Sequence, residues 1–466
     1  MMDQDTRLAA FCSPHGPEIF HSITHRHQIW KEDPYDVDSI QRQARDVFER
    51  YVNRACAQPV PDAGRVLLIK GDSGSGKTHL MQAFRNWAHG RNTGYYSYMQ
   101  MSSAVGNYAH YVLSNTLDSL DKPHYKTFGE TSSLMRLANA LVEDPRVVPP
   151  KALETLRETP LQAKDLNTLI FKLADRIMQV QKYSAIDLDL IRVLLYLQPG
   201  NPSLKIRVLK YLRCEPLAAC DCRMLGGIVP LTGDDQPMRR LSMLGQLMWA
   251  ADMSAFIICL DQLEDILDLH NEQATQQFRQ AMQTVITLAD QIPTSVVVIS
   301  CLADFYVEFG PRLSSSHRAR IESDPSPVVL QAEIANAQIE QLISKRLLAL
   351  YDDQEAYFDE KQPLYPFPAD VLSTLSGQKI RQILDWCRQA QEQCMRTGKP
   401  PTPNLLPEEA DDDAPMPPTE TDGIDSLHLA RLWNDFHATH NAATPDSETQ
   451  MKDLLVWGII QCSTET

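Results

Sequence analysis

The run Gly71-Asp72-Ser73-Gly74-Ser75-Gly76-Lys77-Thr78 carries the clearest chemistry in this sequence. It satisfies the pattern Gly-x-x-x-x-Gly-Lys-Ser/Thr, a spacing suited to cradling a polyphosphate. Its glycines free the backbone to turn N–H groups inward onto phosphate oxygens, and a helix beginning at Lys77 adds the partial positive charge of its N-terminus. Lys77 is placed to neutralise β- and γ-phosphates, and the Thr78 hydroxyl to ligate Mg2+.

A cation at Thr78 needs a carboxylate beyond it, delivered from the end of a neighbouring strand. The segment Phe256-Ile257-Ile258-Cys259-Leu260-Asp261 has that form, an apolar run fit for burial that ends in an acid at the strand's C-terminal edge. Glu264, in Asp261-Gln262-Leu263-Glu264-Asp265, can reach back to orient or deprotonate a water, with Asp265 the competing acid. The bland alternative is an acid-rich helix start, which the helix dipole favours without any chemistry.

These groups need a scaffold. Arg65–Lys70 reads as a short strand leading straight into the glycine run, and Lys77 to about His89 as the helix after it. Upstream, Ile40, Ala44, Val47, Phe48 and Tyr51 share one face of a helix expected from Asp38 to about Ala55, closed by Pro59 and Pro61. Further strands are expected at Thr93–Met101, rich in Tyr95, Tyr96 and Tyr98, at Ala255–Leu260 and at Ser295–Cys301, with a helix from about Glu272 to Asp290. This alternation predicts an α/β fold built on a parallel sheet.

The remaining chain divides by pattern. Residues 1–60 are an N-terminal segment and helix, and 61–102 with 236–330 form the sheet core. Residues 103–235, helical nearly throughout, read as a large helical insertion, and 331–398 as a small helical unit. Residues 399–423 are proline-rich and include Glu408-Glu409-Ala410-Asp411-Asp412-Asp413, the composition of a linker. The amphipathic piece at 424–466 ends on an apolar stretch, which suggests docking onto a partner or a chain continuing further.

With 466 residues, 43% of them apolar and 22% charged, the chain can bury a large core and is expected to be globular. Its 44 basic against 60 acidic residues leave a net charge of −16, so any nucleic-acid contact must be local. A start of Met1-Met2-Asp3-Gln4-Asp5 is unlike a signal peptide, and no run reaches the roughly 18 apolar residues that span a bilayer. A cytoplasmic protein with no membrane segment and reduced thiols is expected. Cys214, Cys220 and Cys222 offer three thiols without a nearby His or a paired CxxC, which favours helical packing over a metal site.

In these features the chain resembles the P-loop ATPases of the AAA+ and STAND groups, over roughly residues 30–395. The resemblance implies ATP and Mg2+ as cofactors, with Mg2+-dependent hydrolysis. In that family a polar residue near the γ-phosphate ends the strand after the acidic one, and Ser300 ends Val296-Val297-Val298-Ile299-Ser300 here. Arg312, Arg318 and Arg320 lie where the family places an arginine finger that reaches a neighbouring subunit's nucleotide; Arg320, in Arg318-Ala319-Arg320-Ile321, is the first choice. The unit at 331–398 resembles the family's helical lid, and Gly377-Gln378-Lys379-Ile380-Arg381 its second sensor, one residue longer than Gly-x-x-Arg. Asp33-Pro34-Tyr35-Asp36-Val37 stands where such ATPases set a segment beside the adenine. Gln262 replaces the family's usual Glu, which is closer to STAND-type bacterial ATPases.

The same resemblance implies a homo-oligomer, a ring or partial ring, and a protein partner from the same system. The helical insertion and C-terminal extension resemble those of large bacterial ATPases of multi-gene systems, anti-phage defence included. Two alternatives stand beside it: a slow-turnover ATP-dependent switch, and a DNA-acting loader or transposition-type regulator. The net charge disfavours the last, and no zinc finger or helix-turn-helix supports it.

Overall fold

In strand β1, Arg65–Lys70, the residues Val66, Leu67, Leu68 and Ile69 are all buried, so the segment has neighbours on both faces. The computed structural model describes residues 6–21, 26–102, 105–123, 131–267 and 272–401. The expected linker beyond Pro401 and the piece at 424–466 lie outside the described residues. Strands β2 (Gly94–Gln100), β3 (Ala255–Asp261), β4 (Ser295–Cys301) and β5 (Val328–Val329) complete a five-stranded sheet in the order β2-β3-β4-β1-β5. Every pairing is parallel, which makes this an α/β protein with a Rossmann-like core.

That order has a consequence for ligands. From β1 the chain runs to the far edge at β2, returns through β3 and β4, and crosses over to place β5 on the other side of β1. The C-terminal end of β1 is thus the point where strand order reverses, and open parallel sheets bind ligands there. The register aligns Gln100 with Asp261 and Ile69 with Ser300, so the ends of β1, β3 and β4 share one edge of the sheet.

Side chains alternate between two cores with the period of two that a strand imposes. One face sends Leu67, Ile69, Tyr96, Tyr98, Ile257, Cys259, Val296 and Val298 towards the helices Arg42–Ala55 and Lys77–Gly90. Between those helices Phe48 and Phe84 stack with ring centroids 4.0 Å apart and planes 7° from parallel. The opposite face, with Val66, Leu68, Tyr95, Met99, Phe256, Ile258 and Ile299, packs on Tyr108–Leu120, Gln236–Asp252 and Glu272–Gln291. A third core joins the helix Thr6–Phe11 to Asn336–Asp353 and Ile380–Thr397, through Phe11, Phe20, Ile343, Leu347 and Trp386.

Most of the chain between β2 and β3 forms a series of helices on the Tyr95 side of the sheet. The helix expected from Asp38 starts instead at Arg42, because Gln41 adopts left-handed backbone (φ 54°). Its amide bridges the carbonyls of Ser75 and Gln331, at 3.3 and 2.7 Å. The helix Thr6–Phe11 and the two-residue β5 have no counterpart in the sequence reading; elements this short carry no period. The nine cysteines of the described region are free, and no described helix is long and apolar enough to cross a membrane.

Candidate functional site

Strand β1 stops at Lys70, and the next six residues form a loop that only glycine-rich backbone can follow. Gly74 and Gly76 have φ of 76° and 88°, the left-handed region that costs an L side chain about 1–2 kcal/mol. Gly71 faces a different limit, since a Cβ there would lie 2.5 Å from Ser75 Oγ. At Gly76 an added Cβ meets nothing nearer than Ile380 Cδ1 at 3.8 Å, so the cost of a side chain is purely conformational. Gly76→Ala should therefore destabilise the protein by about 1 kcal/mol, read as a lower thermal midpoint, with no loss from crowding.

Inside the loop, Lys77 Nζ donates to the carbonyls of Gly71 and Asp72, each at 2.9 Å. Burial pushes the pKa of this ammonium down, and the carboxylates of Glu264 and Asp261 oppose that. The positive charge thus faces two acids across the mouth of the loop.

Asp261, fully buried, closes β3 and collects donors on both oxygens. Thr78 Oγ1 donates to Oδ2 at 2.8 Å, and so does Tyr98 Oη at 2.9 Å. Oδ1 accepts from the Gln262 N–H at 3.1 Å and from Ser300 Oγ. Gln262 is left-handed (φ 55°), which turns the chain so that its own N–H comes back onto the preceding carboxylate. A hydroxyl beside a carboxylate is an all-oxygen donor set, the kind Mg2+ takes. Thr78 and Asp261 fit that ion.

Glu264 lies in the short 3-10 turn Leu263–Leu267, where its Oε2 accepts the Leu302 N–H at 3.0 Å. Burial raises its pKa above the ordinary carboxylate value, although Leu302 and Lys77 pull the other way. Asp265, the competing acid, is exposed.

A cavity of about 560 Å³ opens over the loop and takes Ser73–Thr78, Asp261 and Glu264 as one wall. Arg381 lines the cavity too and lies against the loop; its Cβ would lie 3.3 Å from a Cβ on Gly74. Asp33, Tyr35 and Val37, expected beside a base, also line it. Ser300 joins the site through Asp261 rather than by facing the cavity.

The three candidate finger arginines stand apart, and none of them lines the cavity. Arg320 pairs with Asp290 at 2.7 Å on the surface, its side chain 58% exposed. Arg312 is held by Thr275 Oγ1 at 2.7 Å and Glu308 at 2.9 Å and lies over the Phe309 ring. Arg318 sits 3.9 Å from Glu322.

Sequence reasoning missed His79, Arg45, Arg346 and Tyr98, which the fold brings to this place beside the expected Asp33 and Asp36. His79 Nε2 and Asp33 Oδ2 share a 2.7 Å hydrogen bond, and Arg45 holds Asp36 with two bonds of 2.9 and 2.6 Å. Burial alone would push the Asp33 carboxyl up, but His79, the Tyr35 N–H and Arg346 outweigh it and hold the pKa below its ordinary value. Asp33, Asp36 and His79 are close enough to share an ion, yet Arg45 and His79 already answer both carboxylates. The available signal was the position of His79 directly after Thr78. Arg346, nearly fully buried, and Tyr98 had no such marker.

Comparison with known proteins finds no matching family model, no matching curated protein and no matching solved structure.

Proposed function

We propose that this chain is a Mg2+-dependent ATPase of the AAA+/STAND-like group, with a P-loop core, a helical insertion over 103–235 and a helical lid over 331–398. The observation that carries the reading is the 2.8 Å hydrogen bond from Thr78 to Asp261. It joins the end of a glycine loop to the end of a different strand, at the switch point of a parallel sheet. No core packing requires a hydroxyl and a buried carboxylate there, whereas a phosphate-bound cation does.

In this reading Lys77 exchanges the Gly71 and Asp72 carbonyls for β- and γ-phosphate oxygens, and the loop N–H groups take the remaining oxygens. Mg2+, when bound, supplies charge neutralisation on those phosphates. Asp261 orients Thr78, Ser300 orients Asp261, and Arg381 brings positive charge to the loop from the lid side. Glu264 accepts a proton from the attacking water, whose oxygen bonds the γ-phosphorus as the bond to the bridging β-phosphate oxygen breaks. ADP leaves with that bridging oxygen, and the water oxygen departs in inorganic phosphate.

Glu264→Gln tests the assignment. Turnover should fall on the order of 10²–10⁴-fold while ATP binding is retained. The base works as a carboxylate, and burial raises its pKa. Wild-type turnover should therefore decline on acidification at a higher pH than an ordinary glutamate would give, and the glutamine variant should lack that limb. Normal hydrolysis by Glu264→Gln with loss in Asp265→Asn would move the role to Asp265.

A slow-turnover switch is the second reading. Two observations favour it: the Leu302 N–H occupies Glu264 Oε2, and Gln262 stands where the family's usual second acid would be. A ring or partial ring, a cytoplasmic setting, a partner from the same system and a role in bacterial anti-phage defence are proposed from the resemblance alone. Turnover assayed with and without DNA, RNA and candidate partners separates these from a DNA-acting regulator.

A further inference from the structure

Four donors reach the two carboxylate oxygens of Asp261. Three of the donors belong to the first turn of the helix Lys77–Gly90, to β4 and to the residue after Asp261. The fourth is Tyr98, on the neighbouring strand β2. The register sets Tyr98 beside Cys259, two residues before Asp261 and on the same face of the sheet. A phenol is long enough to cover that offset, and its oxygen ends 2.9 Å from Oδ2, the oxygen that also serves Thr78. Tyr98 is fully buried, packed in the core between the sheet and the helices Arg42–Ala55 and Lys77–Gly90. The ring is therefore fixed, and its hydroxyl limits how the carboxylate can rotate.

We infer that Tyr98 is a positioning residue for the cation: its phenol holds the Asp261 carboxylate in the rotation that serves Thr78 and so sets how much Mg2+ the site requires. This rests on the Mg2+–nucleotide reading above. Partners that orient metal-binding carboxylates typically matter by about 10–100-fold in metal affinity. Without the phenol, the carboxylate turns more easily, and Thr78 is held less well.

The same strand carries a matched control. Tyr95 is also fully buried and also donates to an aspartate, Asp252 Oδ2 at 2.9 Å, but on the opposite face of the sheet. Tyr95→Phe removes an equivalent bond far from the loop. Both substitutions delete one oxygen and leave the packed ring in place.

The test is a Mg2+ titration of the full chain at fixed concentration of a fluorescent ATP analogue, for wild type, Tyr98→Phe and Tyr95→Phe, with thermal midpoints measured alongside. Tyr98→Phe should need about tenfold more Mg2+ for half-saturation, with nucleotide affinity in EDTA unchanged. Tyr95→Phe should titrate like wild type even where its thermal midpoint drops. Equal Mg2+ requirements in Tyr98→Phe and wild type would overturn the inference and leave the ATPase reading standing. An equal shift in both variants would also overturn it, since any lost phenol bond in β2 would then suffice. Wild type without Mg2+-dependent nucleotide binding would overturn the ATPase reading itself, and the inference with it.

Discussion

Lys77→Ala is expected to abolish productive ATP binding. The Lys77 ammonium makes two hydrogen bonds in the loop, to the carbonyls of Gly71 and Asp72, and both can pass to phosphate oxygens. Hydrogen bonds to charged groups are worth about 1.5–3 kcal/mol each, so losing two corresponds to an affinity loss on the order of 10²–10⁴-fold. A second effect adds to it. The Lys77 charge faces Glu264 and Asp261, and without it less positive charge separates the two carboxylates from a polyphosphate. Isothermal titration with ATP and Mg2+ measures the loss. Lys77→Met, which keeps the length of the buried stem, separates charge from packing and should lose affinity to the same degree. Affinity within a few-fold of wild type in either variant would remove Lys77 from the phosphate site.

How much of this site was legible beforehand depends on what kind of signal each part leaves. Strands β1, β3 and β4 are covered on both faces, so they read as continuous apolar runs, and their limits follow from where the apolar residues stop. The glycine loop is legible because its backbone needs residues without Cβ atoms at fixed positions. Asp261 is legible because an acid ending a buried run has one edge at which to emerge. Tyr98 is not, although its strand was expected. In a fully buried strand there is no alternation to tell which tyrosine faces the loop, and its partner lies 163 residues away. Asp33 and His79, 46 residues apart, meet only because the segment before the helix Arg42–Ala55 passes over the end of the loop. That helix starts later than its apolar pattern predicts, at Arg42, for a related reason. Gln41 takes a left-handed turn to satisfy Ser75 and Gln331, contacts that local propensity does not contain.

Arg320 leaves a different kind of signal, because the role proposed for it depends on a second copy of the chain. In one copy it is a surface residue paired with Asp290, and such a pair contributes about 0–1 kcal/mol. Its removal should leave the fold and ATP affinity almost untouched. If a neighbouring subunit's nucleotide is its target, the effect falls on the rate: charge spreads over the γ-phosphoryl oxygens during transfer, and an arginine finger is worth on the order of 10³–10⁵ in turnover. Arg320→Ala should thus bind ATP normally and lose most of its kcat. The finger and the phosphate loop would belong to different subunits, so mixing Arg320→Ala with Lys77→Ala should restore part of the activity, through interfaces that join an intact loop to an intact arginine. Sedimentation with a slowly hydrolysed ATP analogue should show the assembly on which that rescue depends. Arg312 is the less suited candidate, since Thr275, Glu308 and the Phe309 ring already hold its guanidinium in place. The exposed Arg320 has only its Asp290 pair to exchange. Normal kcat in Arg320→Ala would pass the role to Arg318 or Arg312, and normal kcat in all three would mean that one subunit completes its own site, with Arg381 the arginine that lies against Gly74.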